Sequence, residues 1–379
     1  MQASQIDALV IVQDADLFYF TGTVQSGTLY VPVEGEPLYL VRREINRARR
    51  ESPLPCIVPL ASMRDMASRI SEHGCPLAKR VGFELDTVPV GFFERYRKVF
   101  ASCEVVDATP LIRRIRAIKS PFEIALVKKA AAHIDRIYRA ACSIVREAMT
   151  QIELAAELER LARLDGHPGP IRMRAFNGWM SFGHVMAGAD SAMPAYVDTP
   201  LGGVGPHPFF GQGASFSKIA RHEPIIVDWG GFAGGYLADQ TRIICIGELP
   251  EHLVRAYEDM REVQVQMKAT ARPGVCWSAI YQQAVALAEE RGHANRFMGT
   301  QGAQVSFVGH GVGIEIDELP FLARGFDDDV LEAGMVFAFE PKVVFPGEGA
   351  VGIENTFLVM ADHVEQLTFS DEAIALITP

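Results

Sequence analysis

Four carboxylates stand in or beside apolar, strand-like runs of this 379-residue chain. Ile225-Ile226-Val227 leads into Asp228, and Asp239 is soon followed by Ile243-Ile244-Cys245. Met335-Val336-Phe337-Ala338-Phe339 ends in Glu340, and Val351-Gly352-Ile353 enters Glu354. A charge buried without a partner is strongly unfavourable. A fold that uses these runs as strands must therefore gather the four around something positive. The spacing indicates how. An antiparallel hairpin turning between Ala233 and Gly234 would place Asp228 directly opposite Asp239, on one face. Pro346-Gly347-Glu348-Gly349 reads as a second turn, and Glu340 and Glu354 are equidistant from Gly347. The first hairpin alone is also compatible with two solvated aspartates beside a turn. A glutamate that ends Val-Phe-Ala-Phe is harder to leave unpartnered.

His310 lies in Val308-Gly309-His310-Gly311-Val312-Gly313, where the glycines allow close backbone approach. A lone histidine in such a segment is more often structural. Together with four carboxylates it completes a hard, oxygen-rich donor set with one nitrogen. That set suits Mn²⁺, Co²⁺, Fe²⁺ or Zn²⁺ and has too little thiolate for a structural zinc site.

The chain is long enough for two domains, and 49% hydrophobic residues supply a sizeable core. A net charge of −11 argues against a generic nucleic-acid binder. The basic cluster at 42–50 reads as a solvated face, and a second lies at 113–119. No stretch approaches the roughly 20 apolar residues of a membrane span, and no signal peptide is visible. The six cysteines form no CxxC pair, so reduced thiols and a cytoplasmic location are expected.

Strands are expected at residues 8–13, 28–33, 37–41, 80–84 and 104–107, with helices at 43–50, 62–72 and 90–100, an α/β domain ending near residue 110. Ser120-Pro121-Phe122-Glu123 is a capping box with proline at the first helical position, opening a helix to about residue 148. Thr150-Gln151-Ile152-Glu153 is a second capping box, for a helix ending at Asp165-Gly166. A similar helix pair recurs at 251–271 and 277–291, and each pair leads into strand-rich sequence. Two similar helix–helix–strand halves follow. Residues 171–220, rich in glycine and proline, are expected to form pocket walls.

The order Asp, Asp, His, Glu, Glu, in the contexts Val-Asp228-x-Gly, Ala-Asp239-x-Thr-Arg, Gly-His310-Gly-x-Gly, Phe-x-Phe-Glu340-Pro and Ile-Glu354-Asn, resembles the pita-bread metallopeptidases. Within them it is most similar to the creatinase / Xaa-Pro dipeptidase (prolidase) / aminopeptidase P branch. The segments around Leu111–Glu123 and Ala15–Gly22 are similar to that branch's interdomain and N-terminal sequences, so the resemblance spans nearly the whole chain. It implies an α/β (α+β) fold, with a creatinase-like domain over residues 1–112 and a pita-bread domain over 113–379. It implies two divalent ions, Mn²⁺ foremost, with Co²⁺, Zn²⁺ or Fe²⁺ as alternatives. Asp239, His310 and Glu340 would serve mainly one ion, Asp228 the other, and Glu354 would bridge. Water between two cations would lose its proton near neutral pH and attack an amide carbonyl, with Glu340 relaying the proton. A homodimer is also implied.

Three departures from that pattern stand out. Ala195 follows Gly188-Ala189-Asp190-Ser191-Ala192-Met193-Pro194, where the family usually offers histidine. Asp317-Glu318-Leu319-Pro320 carries Asp317 in place of a second histidine. Gly352 replaces an arginine two residues before Glu354. Residues 198–216 look like an insertion, and His207 within it could return an imidazole, or else face solvent. Asp317 could act as a hydrogen-bond acceptor, or as a donor if protonated. Three functions therefore stay open: a peptidase for short proline-containing peptides, a hydrolase of a small non-peptide amide, or a metal-binding protein without catalysis.

Overall fold

The computed structural model describes residues 1–75 and 78–378. The chain divides into two compact units, Met1–Arg116 and Ala117–Pro379.

The first unit follows the order β1 (Ala8–Ile11), α1 (Asp14–Thr21), β2 (Gly27–Pro32), β3 (Leu38–Val41), α2 (Ile45–Glu51), β4 (Ile57–Pro59), α3 (Met66–Glu72), β5 (Arg80–Phe83), α4 (Val90–Val99), β6 (Glu104–Asp107) and α5 (Thr109–Ala117). Its strands form one mixed sheet in the order β4-β3-β2-β1-β5-β6. Ala8, Val10, Leu38 and Leu40 enter one core, while Leu9, Ile11, Tyr39 and Val41 enter another. Alternate residues thus feed opposite faces, and both faces are buried. That is why these strands read as unbroken apolar runs. Helix α1 carries no strong apolar periodicity in the sequence. It is started by the Gln13 side chain, which accepts from Asp16 N at 2.8 Å, and ended by Gly22 at φ 75°. Buried Asp16 pairs with Arg116 of α5 at 2.5 Å.

The second unit opens with α6 (Pro121–Ile144) and α7 (Gln151–Leu164), both started by complete capping boxes. Short β7 (Pro170–Ile171) and β8 (Met180–Ser181) precede β9 (Gly183–Ala187), β10 (Ile225–Ala233) and β11 (Tyr236–Ile246). A second helix pair, α8 (Glu251–Thr270) and α9 (Trp277–Glu290), leads to β12 (Phe307–Gly311), β13 (Glu318–Ala323), β14 (Val336–Phe339), β15 (Lys342–Phe345), β16 (Gly349–Gly352), β17 (Asn355–Val359), β18 (Val364–Gln366) and β19 (Ala375–Ile377). The helix–helix–strand succession therefore occurs twice. The larger sheets run β19-β11-β10-β9 and β13-β12-β14-β17-β18.

The β10–β11 turn differs from the expected one by a single step. Gly234 and Gly235 both take positive φ, 57° and 93°, and make a two-residue hairpin loop. Asp228 consequently faces Thr241, and Asp239 faces Gly230. The two aspartates are diagonal neighbours rather than direct partners. A slip of two positions preserves the face, so they still converge. Gly231 lets α6 approach: a Cβ there would lie 2.2 Å from Ala130 O.

The second hairpin has the symmetric register expected of it. Phe339 pairs with Asn355 and Lys342 with Gly352, so Glu340 falls opposite Glu354. The ladder is broken at that level. Pro341 has no amide hydrogen. Glu340 N instead donates to Val308 O at 2.9 Å, and Glu354 N to Thr241 O at 3.4 Å. The hairpin forks there, and each glutamate is carried toward a different sheet.

Glu123 joins the helical layer to this region. Its carboxylate accepts from Ser120 N at 2.7 Å and from the Tyr236 hydroxyl at 2.9 Å. Glu123→Ala is expected to destabilise the protein by about 1–3 kcal/mol. Ser120→Ala removes only the cap and should cost about 1 kcal/mol. Urea midpoints of the two variants check the order; equal midpoints would show that the Tyr236 contact contributes nothing.

Candidate metal centre and its cleft

Strands β10, β11 and β12 and the fork of the second hairpin each deliver donors to one point. Asp228, Asp239, His310, Glu340 and Glu354 are all buried. His310 Nδ1 donates to Ile316 O at 2.7 Å, which leaves the Nε2 lone pair free to ligate. The loop offering that carbonyl is tied down by Glu318, which accepts from Ile314 N at 2.8 Å, Glu315 N at 3.0 Å and Lys119 Nζ at 3.0 Å. Nε2 faces Glu340 Oε1 at 3.7 Å, Glu354 Oε1 at 3.8 Å and Asp239 Oδ2 at 4.0 Å. These separations are too long for hydrogen bonds and leave room for an ion among the four atoms. Buried Glu354 Oε1 has no hydrogen-bond partner among the described residues.

Neighbouring side chains hold the ligands in place. Thr241 Oγ1 donates to Glu354 Oε2 at 2.7 Å. Arg242 is fully buried and uses all five N–H donors: Nε on Asp371 O, Nη1 on Thr241 O and Glu354 O, and Nη2 on Asn355 Oδ1 and Ser370 O, at 2.7–3.0 Å. Thr356 Oγ1 bonds both the amide and the carbonyl of Asp239. The Thr-Arg after Asp239 and the Asn-Thr after Glu354 are thus the two halves of one clamp. Burial, then the charges of Glu354 and Asp228, push the Asp239 pKa well above the carboxylate range despite Lys342. Burial also raises Glu340, with Lys342 opposing and Glu354 adding to the shift. A cluster that drives its own members toward neutrality is short of positive charge.

Part of that charge is covalent. Lys342 is buried, and its Nζ donates to Glu340 Oε2 at 2.6 Å, Glu354 Oε2 at 3.0 Å and Asp228 Oδ2 at 3.2 Å. Burial alone would lower its pKa, but Asp228, Glu340 and Glu354 together hold it well above the usual lysine value. Sequence reasoning passed over this lysine. The available signal was a cation inside Phe-Glu-Pro-Lys-Val-Val-Phe, two residues from a proposed ligand and opposite Gly352 in the symmetric hairpin.

Residues 125–361 match metallopeptidase family M24, and residues 1–118 match the creatinase/prolidase N-terminal domain. The chain belongs to family M24. An Xaa-Pro dipeptidase of Pyrococcus furiosus is 27% identical over 376 residues, covering 99% of this chain and 97% of that protein. The prolidase structure from Pyrococcus horikoshii OT3 superposes with a TM-score of 0.82 at 26% identity, covering 99% and 97% of the two chains. An Xaa-Pro dipeptidase structure from Bacillus anthracis, 24% identical, shares the fold with a TM-score of 0.83 over 99% of this chain and 96% of that one.

Family M24 implies divalent metal ions, and the donors of this metallopeptidase fit one well. Ligand atoms of Asp239, His310 and Glu354 lie within 4.8 Å of one another, and Glu340 Oε1 stands beside them. Asp228 Oδ2, Glu340 Oε2 and Glu354 Oε2 already accept from the Lys342 ammonium. A second ion bound through these three oxygens would have to compete with the ammonium. Gly352, where the resemblance leads one to expect arginine, lies opposite Lys342 in the ladder. A Cβ on Gly352 would lie 2.6 Å from Lys342 Cα, Lys342 Cγ and Pro341 O alike, so the glycine lets the two strands approach closely beside the lysine.

Above the ligands the cleft has apolar walls that include Met173, Trp179, Val197 and Phe307. Residues 171–220 supply much of this wall, as their composition suggested. Asp317 lines the cleft, with Oδ1 3.8 Å from His310 Nδ1. His207 does not. It is exposed in a tight turn, where its Nδ1 accepts from Phe209 N at 3.1 Å and its carbonyl from Phe210 N at 2.7 Å. Besides His310, the imidazole of His184 lines the cleft, a residue the sequence motifs do not single out. It sits on β9 opposite Asp228, is buried, and its Nε2 has no partner among the described residues. Burial lowers its pKa, with Asp228 partly opposing, which favours the neutral imidazole. Gln212 also lines the cleft; its amide donates to Trp179 O at 2.6 Å, and its Oε1 has no partner among the described residues.

Thr241→Val removes the hydroxyl that orients Glu354. Loss of such a supporting bond typically weakens metal binding about 10- to 100-fold. Calorimetric titration with Mn²⁺ is expected to show that loss without a change in far-UV circular dichroism; an unaltered affinity would contradict the assigned role.

Proposed function

We propose that this M24 metallopeptidase cleaves short peptides of the Xaa-Pro class, in the manner of a dipeptidase or aminopeptidase P. The observation that carries this reading is a metal-type donor cluster at the floor of an apolar-walled cleft bordered by His184 and Gln212. Apolar walls suit a pyrrolidine ring, Gln212 Oε1 can accept from a substrate N–H, and His184 Nε2, in the tautomer that carries its proton there, can donate to a substrate carbonyl or carboxylate. The full-length similarity to proteins named Xaa-Pro dipeptidase adds support. Asp239, His310, Glu340 and Glu354 would hold the ion, with Mn²⁺ the first candidate and Co²⁺, Zn²⁺ and Fe²⁺ the others. A divalent ion supplies Lewis acidity there, polarising a carbonyl and making water acidic enough to react near neutral pH.

The chain's own residues do the remainder. Glu340, whose proton affinity is raised by burial, takes the proton from the attacking water and passes it to the departing nitrogen. His184 hydrogen-bonds the substrate, replacing imidazoles that Ala195 and Asp317 do not provide. Asp317 positions His310. A second reading, hydrolysis of a small non-peptide amide, is favoured by one observation: a lysine stands among the ligands.

The test is a turnover screen of Mn²⁺-loaded protein on Xaa-Pro dipeptides, longer Xaa-Pro peptides and small amides. Hydrolysis of small amides alone would replace the first reading with the second. On the active substrate, His184→Ala should lower kcat/KM on the order of 10²–10³-fold, whereas His207→Ala should leave it unchanged. The reverse pattern would return the substrate-binding role to His207.

We also propose a homodimer in the cytoplasm. Exposed aromatic side chains at Phe176, Phe209 and Phe216 support self-association, and six free cysteines support a reducing compartment. Light scattering is expected to give twice the chain mass; a monomeric mass would overturn the dimer.

A further inference from the structure

Lys342 occupies a place that a metal ion would need. Its ammonium has three hydrogens and meets one oxygen from each of three carboxylates, at 2.6, 3.0 and 3.2 Å. An ammonium in that setting is fully satisfied. An ion that Asp228 shared with either glutamate would compete with the ammonium, because Asp228 Oδ2, Glu340 Oε2 and Glu354 Oε2 all accept from Nζ. The opposite oxygens of those two glutamates, Oε1 in each case, face His310. The pair of glutamates is therefore divided: one edge for an ion shared with Asp239 and His310, the other for the lysine.

The lysine also has little alternative. Its stem starts inside the β15–β16 ladder, where Val343, Val344, Ala350 and Val351 are all buried. Displaced from the carboxylates, the ammonium would be left as an uncompensated buried charge, which is strongly unfavourable. Gly352 lets its strand pack closely against the backbone and stem of Lys342, and the ladder is interrupted at Pro341, beside Glu340. A tethered cation is present at every encounter with a free ion, so it excludes the ion without needing high intrinsic affinity.

We propose that this chain is a one-ion M24 centre, in which the Lys342 ammonium permanently replaces the cation on the Asp228 side. The inference rests on the metallopeptidase reading of the site and is independent of which amide is cleaved. It also assigns Asp228 a new role, as a partner of Lys342 rather than a metal ligand.

The experiment is metal counting on the purified full-length protein, dialysed against Mn²⁺ and measured by elemental analysis, with electron paramagnetic resonance on the same samples. Wild type should bind one ion and give the spectrum of isolated Mn²⁺. Lys342→Ala should bind two and show an exchange-coupled pair, while Lys342→Arg, which keeps the charge, should stay at one. Asp228→Asn should remain at one ion, and Asp239→Asn should lose it. Two ions in wild type would overturn the proposal even if no variant folds. One ion in folded Lys342→Ala would also overturn it, because something other than the lysine would then exclude the second. No bound ion in wild type would instead sink the metal-centre reading on which the proposal stands. Failure on peptides, with one ion bound, would affect only the substrate assignment.

Discussion

Mutual repulsion among four buried carboxylates is the constraint around which the second unit is organised. Asp228, Asp239, Glu340 and Glu354 cannot share one dry volume unless positive charge stands between them. The structure meets that demand partly with Lys342 and partly with a set of oxygens and one imidazole nitrogen suited to a divalent ion. Both solutions use the same glutamates, one oxygen each way. The mechanistic identity of the centre follows from how that charge is divided.

Holding four repelling groups in place requires rigid support, and most of the buried polar contacts nearby serve that end. Arg242 ties the backbone of β11 to Glu354 and Asn355, so it links the two hairpins through five satisfied donors. Thr241 and Thr356 fix Glu354 and the Asp239 backbone. Glu318 anchors the loop whose carbonyl sets the His310 tautomer. These contacts explain why the ligand motifs extend beyond the ligands themselves: each flanking polar residue has a partner on a different strand. Ligand geometry is only as good as the supporting layer.

Much of this could be read locally. Capping boxes at Ser120 and Thr150 mark helix starts because their hydrogen bonds join residues three apart. The pairing of Glu340 with Glu354 could be read because the turn around Gly347 is short and symmetric, and register then propagates by simple counting. The Asp228–Asp239 pairing was misplaced by one turn position, because Gly234 and Gly235 both adopt left-handed backbone. The slip did not matter to the site, since side chains alternate with a period of two. Helix α1 was missed because its start depends on a single glutamine cap rather than on apolar periodicity.

The sequence by itself determined which four carboxylates and which histidine gather in one place, the two hairpins that carry the carboxylates and the doubled helix–helix–strand order. These depend on periodicity, turn chemistry and the cost of burying charge, all of which act over a few residues. Only the tertiary structure decided what else enters the same buried volume. His184 arrives because β9 pairs with β10 across roughly 40 intervening residues, a loop span whose closure no local rule fixes. His207 sits within that span and turns outward, bonded to its own loop. Lys342 meets the carboxylates where the hairpin forks at Pro341 and Gly352 lets the two strands approach closely. Which charges meet in a dry interior is set by packing between segments distant in the chain, and electrostatic interactions there are strong enough to decide the occupant.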